Sequence, residues 1–326
     1  GNHLMLTQPL VEVRNLTVDY VGANTVSRAV NGIDFDIRPG EAFGLAGESG
    51  CGKSTVAFAL ARLTRLPGLV SGGAVRFMGE DVLSFSAERL RRYRWSEVSF
   101  VFQSAMNALN PVIKVSEQIE DAILAHRPRA SRAETLARAA ELFELVGISP
   151  RRLDDYPHQF SGGMRQRICI AMALALEPKL IIMDEPTTAL DVVVQRDIIE
   201  QICELKARFG FSVLFITHDL GLMIEFCDRI GVMYAGELVE VAPASAILTA
   251  PQHPYTRALG RSFPPLSGPR VRLEGIAGSP PSLSALPEGC RFSPRCGEAI
   301  PICVRLAPEL RPTPATGGEA ACHLLQ

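Results

Sequence analysis

Gly47-Glu48-Ser49-Gly50-Cys51-Gly52-Lys53-Ser54-Thr55 is the stretch from which the rest of the chain is read. Gly47 and Gly52 flank four residues and Lys53-Ser54 follows, the spacing of a phosphate-binding loop. Glycines let consecutive backbone N–H groups turn toward a phosphate, and a helix starting just after them adds the positive end of its dipole. Lys53 is then placed to reach the outer phosphates and Ser54 to ligate Mg²⁺. The flanks agree: Ala42 to Ala46 is a short apolar run of the buried-strand type, and the residues from about Ser54 to Leu66 read as a helix.

Downstream, Leu180-Ile181-Ile182-Met183-Asp184-Glu185 is an apolar strand that ends in two acids. Asp184 is expected to serve the metal ion through water and Glu185 to act as general base on the attacking water. Gln103 follows the apolar Phe100 to Phe102, and His218 closely follows Val213 to Ile216. In a parallel sheet such strand ends meet at one rim, where ligands bind. From Leu10 to about Ala242 short β-type runs alternate with helical stretches, which predicts an α/β fold with a mainly parallel sheet. Val11 to Val18 and Ala29 to Ile37 alternate apolar with polar residues and read as antiparallel strands at one edge. An Ala-, Arg- and Glu-rich stretch between Ser104 and Phe160, including Ser131 to Val146, reads as a helical insertion.

Bulk properties limit the alternatives. At 326 residues the chain has room for two or three folding units. A net charge of −2 gives no general attraction for polyanions, so a nucleic-acid partner would need a local basic patch; none is expected. The longest apolar run, Ile168 to Leu176, falls far short of the roughly 18 residues of a membrane span. Residues 1–20 lack the apolar stretch of a signal peptide, Gly1 to Leu4 read as an expression scar, and a cytoplasmic chain is expected. Eight cysteines are then not a disulfide framework, and Cys51, Cys169, Cys203 and Cys227 read as small core residues or incidental thiols.

Phe160-Ser161-Gly162-Gly163-Met164-Arg165-Gln166-Arg167 resembles the signature of ABC ATPases, with its first and fifth positions changed from the usual Leu-Ser-Gly-Gly-Gln. Thr188-Ala189-Leu190-Asp191 resembles the D-loop of that family, and Tyr20 the aromatic that stacks on adenine. With the phosphate loop, Gln103, Asp184-Glu185 and His218, the motifs stand in the family's order over roughly residues 10 to 260. The resemblance implies a P-loop NTPase with a RecA-like parallel sheet core and an antiparallel β subdomain. It implies ATP bound by residues 47–55, Gln103 and Tyr20, with Mg²⁺ held by Ser54, Gln103 and, through water, Asp184. His218 would steady the γ-phosphate. Ser161, Gly162, Gly163 and Gln166, with Asp191, would close on the ATP of a second subunit.

Three finer strings, residues 104–111, Tyr156-Pro157-His158-Gln159 and Thr187 to Asp191, resemble the oligopeptide and dipeptide importer ATPases, nearer the D-type than the F-type subunit. Nickel and glutathione importers share them. The implied activity is ATP hydrolysis that drives solute import at the cytoplasmic face of the inner membrane. The implied companions are a second ATPase (F-type, or a second copy of this chain), two permeases and a substrate-binding protein. A non-transport ABC ATPase acting on nucleic acid or ribosomes is the rival reading, and the absence of long coiled coils or a second engine argues against it.

After Ala242 the composition shifts to Pro, Gly, Ser and Arg, so a nucleotide-binding domain over residues 10–245, with its helical insertion at about 104–165, is expected to precede an extension over 250–326. His253-Pro254-Tyr255-Thr256-Arg257-Ala258-Leu259 resembles the opening of the importers' C-terminal extension. Cys290, Cys296, Cys303 and Cys322 follow, with five, six and eighteen residues between them. Four thiolates on a loop-rich scaffold can hold a [4Fe–4S] cluster or a tetrahedral zinc. The cluster is expected, both from the resemblance and because zinc-knuckle spacings are absent; zinc and plain reduced thiols are the alternatives.

Overall fold

The computed structural model describes residues 8–102, 108–263 and 272–326. The chain divides into two units, Gly1–Ser84 with Leu214–Gln326 and Phe85–Val213.

In the first unit, β1 (Val11–Val21) pairs antiparallel with β2 (Val26–Ile37) on one side and β4 (Gly68–Phe77) on the other, and β5 (Glu80–Asp81) continues the sheet. A register shift between Val13 and Leu16, with Asn15 at φ 48°, keeps Leu16 and Val18 buried with Val11 and Val13. Without that extra residue the alternation of side chains would turn Leu16 and Val18 to solvent.

The second sheet of this unit is built on β3 (Ala42–Ala46), which lies parallel to β9 (Arg229–Tyr234). All five β3 residues are buried, as an apolar run without alternation implies. β8 (Ser212–Ile216), within which the division between the units falls, flanks β3 on its other side. β10 (Glu237–Pro243) runs antiparallel to β9. The edge is then extended by the tail: β12 (Gly318–Ala320) pairs with β10 and β11 (Arg311–Thr313) with β12.

The helix after the phosphate loop, α1, covers Lys53–Leu60 and ends before the expected Leu66, because the chain turns at Arg62 with φ 53°. The tail, read from sequence as loop with few periodic segments, carries short elements held by buried side chains. In the helix Pro254–Arg261 the first turn is capped by His253, whose Nδ1 accepts the Tyr255 N–H at 3.0 Å. Glu240, 1% exposed, accepts the N–H groups of Gln252 and His253, each at 2.9 Å. Burial pushes the His253 imidazole down to about 4, which keeps it neutral and able to accept that bond. Tyr255 is fully buried and meets Tyr234 and Phe292 with ring centroids 4.7 and 5.3 Å apart.

In the second unit, β6 (Val98–Phe102) and β7 (Leu180–Asp184) are parallel, with Val98 opposite Leu180 and Phe102 opposite Asp184. The helical insertion contains α3 (Val115–Leu124) and α4 (Arg132–Leu145). The latter begins where the sequence places it, because Ser131 and Glu134 cap each other's backbone N–H groups. A short helix, α2 (Ala87–Tyr93), was not legible; Ser86 caps it and Tyr93 is its buried anchor. α5 (Gly162–Leu174) follows Ser161, and α6 (Val192–Phe209) follows Asp191.

Candidate nucleotide-binding site

The 47–55 turn joins the end of β3 to the start of α1. Its backbone requires glycine at both defining positions. Gly52 has φ 106°, and a Cβ there would stand 2.8 Å from the Ala29 carbonyl oxygen. Gly47 has φ 150°, and a Cβ would collide with the Met233 carbonyl oxygen. Ser49, Gly50 and Ser54 are exposed, whereas Lys53 is 7% exposed. Its ammonium donates to the carbonyl oxygens of Gly47 at 2.6 Å and Glu48 at 3.1 Å, and to Cys51 Sγ at 3.5 Å. A buried cation is thus satisfied by the loop that surrounds it. The Cys51 thiol, buried, is pushed up by desolvation, with the Lys53 charge opposing.

Tyr20 stands near the end of β1, half-exposed, with Oη 3.3 Å from Thr55 Oγ1. The structure therefore brings this aromatic beside the phosphate loop. His218 is exposed just beyond β8, the neighbour of β3. Thr217 Oγ1 accepts the Asp219 N–H, and Asp219 caps the following turn by accepting the Leu222 N–H at 3.0 Å.

Asp184, Glu185, Asp191 and the signature belong to the second unit. Asp184 closes the fully buried β7 and is 7% exposed. Glu185 has φ 49°, a conformation that side chains rarely adopt, and its Oε2 accepts a 2.6 Å bond from Thr188 Oγ1. That hydroxyl fixes the carboxylate's rotamer; sequence reading assigned Thr188 to a motif without seeing this bond. Gln195 Nε2 ties the turn back by donating to the carbonyls of Thr187 and Leu190. Asp191 Oδ1 accepts the Val194 N–H and so starts α6.

Ser161 caps α5 by accepting the Met164 N–H at 3.2 Å. Ser161, Gly162 and Gly163 line an open cavity of about 490 Å³ together with Ala189, Leu190 and Asp191. Signature and D-loop residues thus share one surface of this unit. Gln166 does not reach it, for its side chain is fully buried. Gln103 lies outside the described residues.

Cys290, Cys296, Cys303 and Cys322 all line one small cavity of about 20 Å³ in the first unit, with His253 and His323 beside them. Burial pushes the Cys290 thiol up to about 11 and raises Cys296 and Cys322 as well. Among the described residues, no group of three or more Cys, His, Asp or Glu side chains stands at metal-holding spacing. The four cysteines thus share the lining of one cavity. Cys51, Cys169 and Cys227 are buried and Cys203 is exposed, with Cys169 pushed up to about 12 by burial.

Two contacts of the phosphate loop escaped the sequence reading. The Tyr255 hydroxyl accepts the Glu48 N–H at 3.0 Å, and the Arg295 guanidinium grips the Glu48 carboxylate. Both partners lie more than 200 residues away in the tail, Tyr255 within the string His253 to Leu259 that the sequence reading singled out and Arg295 just before Cys296.

A glycine turn between a buried parallel strand and a helix, with a lysine folded over it, is the phosphate-binding loop of a P-loop NTPase. The ABC transporter family profile matches residues 30–188, and the profile of the oligopeptide/dipeptide transporter C-terminal region matches residues 239–303. The chain is 45% identical over 320 residues to the "Probable peptide ABC transporter ATP-binding protein y4tR" of Sinorhizobium fredii, covering 96% of this chain and 94% of the relative. It is 41% identical over 301 residues to the oligopeptide transport ATP-binding protein OppD of Salmonella typhimurium, covering 92% and 89%. Among solved structures it resembles the dimeric post-hydrolysis state of the ATP-binding cassette MJ0796 bound to ADP and Pi. That likeness has a TM-score of 0.64 at 29% identity and covers 72% of this chain and 98% of the other. This chain belongs to the ATP-binding proteins of the oligopeptide/dipeptide ABC transporter family.

Proposed function

We propose that the chain is the ATP-hydrolysing subunit of a membrane ABC importer and powers uptake of peptides or related small solutes through partner permeases. The observation that carries this reading is the 47–55 turn with Lys53 folded over it, in a chain matched along nearly its whole length by peptide-transporter ATP-binding proteins. Among the described residues no helix is long and apolar enough to cross a membrane; in this reading the transmembrane path is supplied by the partner permeases. The working position is the cytoplasmic face of the inner membrane.

In this reading the Lys53 ammonium would exchange its loop carbonyls for the β- and γ-phosphate oxygens, and Ser54 would ligate Mg²⁺. Tyr20 stacks on the adenine. Gln103 and, through water, Asp184 would help hold the metal ion, which would neutralise phosphate charge; Glu185 would take the proton of the attacking water, and His218 would steady the charge that develops on the γ-phosphate. Ser161, Gly162, Gly163 and Asp191 act on the ATP of a second subunit. Support for a second subunit comes from Val192 and Val193, which are 77% and 71% exposed beside that surface. An F-type ATPase, two permeases and a substrate-binding protein complete the assembly. The four C-terminal cysteines fit a [4Fe–4S] cluster by donor chemistry, with zinc the alternative; thiolates would hold either one.

Affinity-tagged chain recovered from detergent-solubilised membranes should bring down two permeases; recovery with ribosomes or DNA instead would favour a non-transport ATPase. Protein purified without oxygen should be brown and contain iron, whereas colourless protein with stoichiometric zinc would replace the cluster by zinc.

A further inference from the structure

Gly47 to Thr55 contains a single acidic residue, Glu48, inside a turn whose task is to receive a polyanion. An unpaired carboxylate there would repel the phosphates it adjoins. In the structure this carboxylate is gripped by Arg295. Nη1 donates to Glu48 Oε2 at 2.8 Å and Nη2 to Oε1 at 3.1 Å, the two-pronged geometry that only a guanidinium supplies.

Arg295 is itself fixed. Its side chain is 4% exposed, Nε donates to the Ala277 carbonyl at 2.9 Å, and Nη2 reaches the Ile276 carbonyl at 3.3 Å. It lies on the tight turn Ser293–Arg295, framed by Cys290 and Cys296, where the Ser293 N–H donates to the Cys290 carbonyl and the Arg295 N–H to the Phe292 carbonyl. Phe292, 3% exposed, anchors that turn against Tyr234, with ring centroids 5.2 Å apart. On the other side of Glu48, the Tyr255 hydroxyl takes its N–H. Backbone and carboxylate of this one residue are therefore both held by the C-terminal tail.

We propose that Arg295 is a positioning residue of the nucleotide site: it neutralises Glu48 and draws its carboxylate out of the phosphate-binding turn, so that the C-terminal extension sets the affinity for ATP. This rests on the assignment of residues 47–55 as the ATP site. Arg295 touches no phosphate; it acts through Glu48.

The test is titration of the full-length chain with the non-hydrolysable analogue AMP-PNP and Mg²⁺, read as Kd and stoichiometry. Arg295→Ala frees a negative charge beside the ligand and should weaken Kd about tenfold with stoichiometry unchanged. Glu48→Gln placed on that background removes the charge and should restore Kd to within about threefold of wild type. A purely structural arginine would instead lower the stoichiometry, and Glu48→Gln would not rescue it. If Arg295→Ala does not fold, Arg295→Lys keeps the charge but not the two-pronged grip; it should give a smaller loss with the same rescue. Wild-type Kd in the arginine variants, or a loss that Glu48→Gln fails to repair, overturns the proposal. Failure of the wild-type chain to bind AMP-PNP overturns the ATP-site assignment itself, and the proposal with it.

Discussion

Two turns of the first unit, the phosphate loop at 47–55 and the cysteine turn at 290–296, are of similar length and are held in opposite ways. The phosphate loop is shaped by its own backbone: Gly47 and Gly52 adopt conformations that a Cβ would forbid, and Lys53 bonds to carbonyls five and six residues before it. The cysteine turn is shaped by distant side chains, with Phe292 buried between Tyr234 and Tyr255 and Arg295 reaching back to Glu48. Local constraints leave a spacing in the sequence; long-range packing leaves only unremarkable residues. The difference also shows in what holds each turn, since the first is fixed by its own residues and the second by residues far away in sequence.

The largest expected effect lies in neither turn. Glu185→Gln should lower ATP turnover by about 10²- to 10⁴-fold while Kd for ATP stays near wild type, measured by phosphate release and by calorimetry. Near-normal turnover would remove Glu185 from the role of base and leave the two turns without a reaction to serve. Phe292→Ala strikes the packing of the cysteine turn and should cost about 3–5 kcal/mol of stability, measured by denaturant unfolding. A loss below about 1 kcal/mol would show that the turn is held locally after all.

His253 gives the same region a pH signature. Its folded pKa of about 4 lies below the ordinary 6.5, so the unfolded chain binds the extra proton first. Its contribution to stability is complete above pH 6.5, declines as pH falls, and is gone below about 4, a total of ~3 kcal/mol. His253→Asn keeps an acceptor for the Tyr255 N–H but cannot titrate, so its melting temperature should fall less between pH 7 and pH 4.5 than that of wild type. Equal slopes would mean that the imidazole is already protonated or already exposed in the native tail.

The smallest effect sharpens the contrast from the other side. Lys53→Ala should weaken ATP binding by ~2 kcal/mol, about thirtyfold, through loss of charge-assisted bonds to phosphate. It should also destabilise the fold less than Phe292→Ala does. Unchanged affinity would break the assignment of the loop.

The legible part of the fold was whatever repeats at short range. β3, β7 and β8 could be read because a strand buried on both faces is a continuous apolar run, and α4 because Ser131 and Glu134 mark its start. α1 was overextended because nothing nearby in sequence announces that Arg62 turns the chain. α2 went unread, for seven residues give too little period to recognise, although Tyr93 is fully buried and meets the Phe85 ring at 5.4 Å. At the site, sequence order named Asp184, Glu185 and Ser161, but not the Thr188 hydroxyl that orients Glu185 or the burial of Gln166.

What the sequence determined alone was the chemistry on offer: a glycine turn with the spacing of a phosphate-binding loop, two acids at a strand end, a small-residue helix start, and four thiols close together in the tail. Spacing sufficed there, because backbone conformation and helix dipoles depend on neighbours a few residues apart. The tertiary structure alone decided that the tail is laid into the unit bearing the phosphate loop, through β12 on β10 and Arg295 on Glu48. Those contacts join residues about 80 and 247 positions apart, and at such separations only the folded chain selects which of many possible partners meet.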